Sequence, residues 1–183
     1  LKCHHPAAFY VGLLNSQPMG FYSPSQLIQD ARRHHIMVLP VDVNHSSWDH
    51  QILSSADQQQ PPIRLGLRLI KGLSEAAGQR IHTAQRQRAF ANVADLRQRA
   101  CLDRGDMEAL AAADALSGIS GNRYQSHWQT MALESHRPLL PYDSAAQRSQ
   151  DDAAVTAAPT LPEDVVADYQ STGLTLRSHP LSL

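Results

Sequence analysis

Between residues 67 and 133 apolar side chains recur every three or four positions, but helix-starting residues keep interrupting the run. Leu67, Ile70 and Leu73 come first. Ser74 then stands ready to cap a helix whose inner face is Ala77, Ile81 and Ala84. Asn92 opens a third helix with Val93 and Leu96 inward, and Asp103 opens a fourth with Met107, Leu110 and Ala111 inward. SGISG at 117–121 reads as a turn, and a last helix over about 121–133 is expected to point Trp128, Met131 and Leu133 inward. Helices this short cannot hold an apolar face in water alone, so they must pack on one another.

The rest of the chain extends this pattern. Residues 3–16 predict a helix with Phe9 and Leu13 inward, joined by Val11 and Leu14. Ser23-Pro24-Ser25-Gln26 carries capping-box spacing with proline in the first turn, and Leu27, Ile28 and Ala31 give that helix, about 24–34, its buried side. IMVLPVDVNHS is apolar and β-branched around Pro40 and predicts an edge strand running into a turn at Asn44. SSADQQQPP reads as a loop, and IRLGL as a second strand that pairs with the first. Near the far end, Thr160 and Glu163 repeat the capping box, Gly173 ends that helix, and LTLRSHPLSL reads as extended. The fold class expected is mainly α with a small β element. Only 5% of the residues are aromatic, so the core rests on Leu, Ile, Val and Ala.

Proline, acidic and small residues between 134 and 160 predict a disordered linker. No apolar run approaches the ~20 residues of a membrane span, and the opening LKCHHPAAFY has no signal-peptide core. Cys3 and Cys101 are too few for a disulfide framework; both read as small core hydrophobes in a reduced, cytoplasmic setting. The start at Leu1 suggests a piece of something longer. No metal site is expected. The pairs His4-His5 (beside Cys3), His34-His35 and His45 with His50 lack metal-ligand spacing, and Asp151-Asp152 and Glu163-Asp164 fall in a loop and at a helix start. Asp42 and Asn44 read as turn chemistry, Trp48 and Trp128 as packing anchors.

Charge is unevenly spread. Residues 63–104 hold nine Lys or Arg against three acids, a window of +6, whereas the whole chain carries −1. Such an island points to a polyanion. Within it lies Ile70-Lys71-Gly72-Leu73-Ser74, a tight turn between two short helices. Amides at the start of the second helix lack intrahelical partners and sit at the positive end of its dipole, which suits a phosphate oxygen. Gly72 allows close approach and a positive φ, Leu73 tucks inward, and Ser74 caps. Lys71, Arg68 and Arg80 are expected to add charge held in water until DNA displaces it, while Glu75 mildly opposes phosphate. Contacts of this kind position a duplex without reading its bases and weaken with salt. Arg68, Lys71, Gly72, Leu73, Ser74 and Arg80 are therefore the candidate DNA-binding residues, and no residue is a catalytic candidate.

Three stretches, LKCHHPAAFYVGLLNSQPMGFYSPSQLIQDARRH, VLPVDVNHSSWD and RLGLRLIKGLSEAAGQRI, together resemble the bacterial C-family DNA polymerase α-subunits of DnaE type. NSQPMGFYSPSQL and LDRGDMEALAAADAL resemble the error-prone, damage-response branch. VVADYQSTGLTLRSHPL is similar to the segment leading into that family's OB domain. The resemblance covers residues 1–133 and 161–183. It implies that 1–62 end the fingers domain, that 63–133 form a tandem helix-hairpin-helix module on the template-primer duplex, that 134–160 link, and that 161–183 lead to the OB domain. The parent would be a DNA-directed DNA polymerase, a nucleotidyltransferase of repair and translesion synthesis that uses magnesium and accessory proteins. Its catalytic palm aspartates would lie upstream, leaving this segment alone inactive and without a cofactor. His35 and Asp114 stand where the family places glycine. They would strain two turns, and Asp114 would make the second hairpin a poorer phosphate site. Two alternatives are a helical protein-interaction scaffold and a stand-alone helix-hairpin-helix repair factor.

Overall fold

The computed structural model describes residues 2, 4–53, 60–135 and 158–177. Its elements are mostly helical: α1 (Pro6–Asn15), α2 (Pro24–Arg33), α3 (Glu75–Gln87), α4 (Val93–Ala100), α5 (Arg104–Ala112), α6 (Ser117–Ser120), α7 (Arg123–Ser135) and α8 (Leu161–Ser171). Three two-residue strands, β1 (Val38–Leu39), β2 (Gln51–Ile52) and β3 (Ile63–Arg64), form a sheet in the order β1-β3-β2. β3 runs parallel to β1 and antiparallel to β2. The mainly α fold with a small β element is therefore the observed class. β1 lies at the sheet edge, where Pro40, directly after it, breaks no ladder.

Caps set most helix starts. Ser23 accepts from the Gln26 amide while the Gln26 side chain accepts from the Ser23 amide. Ser74, Asn92 and Asp103 each accept from the amide three residues on. Thr160 and Glu163 complete the box before α8. Each such contact is worth about 1 kcal/mol.

The main core joins α1 and α2 to α3, α4 and α5 and to the segment past α8. Leu14, Leu27, Ile28, Val41 and Val43 pack in one cluster with Leu67, Ile81, Leu96, Met107, Leu110 and Leu116, and Leu174 enters it from beyond α8. A smaller cluster gathers Ala7, Tyr10, Ala31, Ile36 and Ile63. Both the sheet and the core cross the division expected at 62/63.

Five expectations need correction. α1 buries Tyr10, which was not expected, most deeply along with Leu14, while Phe9, Val11 and Leu13 are half-buried against the two clusters, because Tyr10 reaches Asp30 of α2 with its hydroxyl, donating at 2.6 Å. β2 had no β-branched run to announce it, only Gln51 and Ile52. SGISG coils into α6. Cys101 is exposed, because it caps α4 in the left-handed region at φ 49°. α7 faces the other way: Arg123, Ser126 and Thr130 are buried, whereas Tyr124, Trp128 and Met131 are exposed. Hydrogen bonding makes that inversion tolerable: Thr130 donates to the Ser126 carbonyl and Ser126 pairs with Ser120. Trp128, 57% exposed, is thus no packing anchor. Trp48 is one: a Cβ on Gly78 would stand 2.3 Å from its ring.

The Asp42–Asn44 segment is turn chemistry as expected. Asp42 accepts from the Asn44 amide at 2.7 Å, and the Asn44 side chain bonds both polar backbone groups of Phe90. Cys3, the 54–59 loop, the central stretch 136–157 of the expected linker, the side chain of Leu133 and residues 178–183 lie outside the described set.

Candidate nucleic-acid interface

The first hairpin turn is built from below. Strand β3 leads to Gly66, whose amide donates to His50 Nδ1 at 3.1 Å in a space too tight for any Cβ, since Trp48 O and Asp49 C would lie 2.4 Å away. Leu67–Leu69 then make a single 3-10 turn. Ile70 is buried, Lys71 and Gly72 are exposed, and Leu73 is buried again. Gly72 takes φ +86°, which reverses the chain, and Leu73 locks the reversal by packing into the core. Ser74 begins α3 with its side chain on the Ala77 amide. The amides of Gly72, Glu75 and Ala76 donate to no protein acceptor among the described residues. The corner is therefore open to solvent, with unpartnered donors at the positive end of a thirteen-residue helix.

A second turn mirrors the first. α5 ends at Ala112, Asp114 takes φ 57°, and buried Ala115 and Leu116 anchor the chain before α6. The first turn abuts the helix that leads into the second, a Cβ at Gly72 falling 3.9 Å from Ala109 Cβ on α5. Asp114 and His35 (φ 59°) adopt the left-handed backbone expected of them. Asp114 does not face water freely. Arg177 donates to it at 2.8 Å, and burial pushes its carboxyl above the usual range against the opposing pull of Arg123 and Arg177.

The cations are deployed differently from expectation. Arg68 does not wait in solvent: it donates to the Asn15 and Gln17 carbonyls at 2.8 and 3.2 Å and pairs with Asp49 at 2.7 Å. Arg80 donates to the Ala100 carbonyl at 2.9 Å and reaches Cys101 O and Asp106 at 3.4 Å. Both arginines close gaps between elements whose carbonyls would otherwise lack partners. Lys71 donates its ammonium to the Tyr169 and Gln170 carbonyls at 3.1 and 3.0 Å. Arg88 and Arg99 share Asp95. Arg86, in the last turn of α3, has no protein partner among the described residues. A positive window in the sequence gives the count of charges but not where each side chain goes. The carbonyls that take Arg68 lie about fifty residues away in the chain, and no local signal marks them.

A further cluster escaped sequence reasoning. Arg123, 6% exposed, donates to Asp164 at 2.9 Å and pairs with Asp168. Arg177 pairs with Asp164 as well as Asp114. These five side chains tie α7, α8 and the second turn together. Among the described residues no group of three or more His, Cys, Asp or Glu is arranged to hold a metal ion, and no helix is long and apolar enough to cross a membrane.

Two short helices around a left-handed corner, repeated once, define the class: residues 35–126 match the family described as "Helix-hairpin-helix motif", and the chain belongs to that family. Along its whole length it is also similar to error-prone DNA polymerases. It is 53% identical to that of Ralstonia nicotianae, 51% to that of Saccharophagus degradans and 48% to that of Methylococcus capsulatus. The chain spans 17%, 18% and 19% of those proteins respectively. The resemblance to the error-prone polymerases seen in the sequence thus holds over all 183 residues.

Proposed function

We propose that this chain is the duplex-gripping segment of an error-prone DNA-directed DNA polymerase, a nucleotidyltransferase that copies DNA in repair and translesion synthesis together with accessory proteins. The observation that carries the reading is the exposed corner at Lys71 and Gly72, with unpartnered amides at Gly72, Glu75 and Ala76. A phosphate oxygen of the template-primer duplex completes those donors, and no base edge need be touched. Leu73 and Ser74 hold the corner's shape, Arg68 braces it from beneath, and Arg80 fixes α3 against the loop that opens α5. The parent polymerase would use magnesium, but the described residues do not fit that ion, holding no suitable carboxylate cluster. What this chain contributes is position.

A titration of labelled primed duplex against the protein at rising salt tests this. Binding should weaken with a slope of several phosphates, and Lys71→Glu should lose about tenfold or more at low salt. Absence of binding at low salt would reject the reading. It would favour a protein-interaction scaffold, the reading supported by the exposed Tyr124, Trp128 and Met131 face of α7.

A further inference from the structure

Residues 161–177 lie across both hairpin turns. At the first, the Lys71 amide donates to the Ser171 carbonyl at 2.9 Å while the Lys71 ammonium takes the Tyr169 and Gln170 carbonyls. Those three acceptors are the last-turn carbonyls of α8, the negative end of its dipole. Past the helix, Gly173 turns at φ +80° with its Cβ position 3.8 Å from Lys71 Nζ. At the second turn Arg177 pairs with Asp114. Between these contacts Leu174 is buried in the main core, and Arg32 donates to the Leu176 carbonyl at 3.0 Å. Buried Arg123 holds α8 further forward, on Asp164 in its first turn and on Asp168 where its last turn begins.

We propose that residues 161–177 form an autoinhibitory strap, in which the C-terminal carbonyls of α8 occupy the Lys71 ammonium and a duplex phosphate must displace them. The inference rests on the phosphate grip proposed above. A phosphate beside Gly72 and the negative end of α8 repel each other, and both seek the same lysine. The strap is anchored through Asp164 and Asp168, so the carbonyl end of α8 beyond Asp168 and residues 172–177 are the part that lifts. Duplex binding and strap release are then linked, and weakening the strap's hold strengthens binding.

Hydrogen exchange of the wild-type protein, with and without saturating primed duplex, reads this directly. Amides over 169–176 should exchange faster when duplex is bound. Arg177→Gln, which loosens the pairs to Asp114 and Asp164, and Arg32→Ala, which removes only the bond to Leu176, should each tighten duplex binding by roughly threefold or more. If duplex binds and Lys71→Glu weakens it, yet exchange over 169–176 is unchanged or slower, the strap is wrong and the phosphate grip stands. The strap is equally wrong if Arg32→Ala binds no more tightly than wild type, whether or not Arg177→Gln folds. If no form binds duplex, the grip fails and the strap with it.

Discussion

His50 is buried beneath the first hairpin, its Nδ1 accepting the Gly66 amide. That bond requires a neutral ring. Burial above all, then the charge of Arg68, pushes its pKa from 6.5 down to about 4, with Asp49 pulling slightly the other way. The unfolded chain takes up the proton near 6.5 and the folded one only near 4, so stability is complete above 6.5 and falls as pH drops toward 4. The full loss is about 3 kcal/mol. Urea unfolding at several pH values checks it: His50→Asn, whose Oδ1 takes the same amide, should flatten that limb, and an unchanged slope would move the effect to another group. Among the left-handed residues, His35 and Asp114 were legible because glycine was expected in their place. Cys101 was not, because nothing around it in the sequence marks the αL end of α4.

Helix starts were the most legible elements, since Ser23, Ser74, Asn92 and Asp103 each accept the amide three residues on and Thr160 donates to Glu163. α7 was misread for a physical reason. Trp128 and Met131 at helical spacing normally mark the buried stripe, but here Arg123 must reach Asp164 and Asp168, and that contact turns the helix over. Packing between α3 and the loop before β2 hinges on Gly78, which leaves room for the Trp48 ring. At an open helix position Gly→Ala gains about 1 kcal/mol. Gly78→Ala should instead cost about 1–3 kcal/mol, as overpacking does, seen as a lower denaturation midpoint. A raised midpoint would mean that Trp48 yields freely.

At the scale of the whole chain, one apolar cluster links the hairpins to the helices before them. Leu14 of α1 is 2% exposed in the cluster that also holds Met107 and Leu110 of α5. Leu14→Ala should therefore cost about 2–5 kcal/mol and speed amide exchange in α5 as well as α1. Faster exchange confined to α1 would show that residues 2–53 unfold on their own. The charge of the basic window was legible, and its use was not: Arg68 and Arg80 reach carbonyls set by tertiary packing.

The inverted seventh helix also leaves the molecule with two indoles in opposite surroundings, Trp48 packed against the core and Trp128 in water. Their fluorescence separates on that basis. The blue-shifted emission follows the integrity of the interior, and the red-shifted emission, open to soluble quenchers, registers whatever comes to lie over α7.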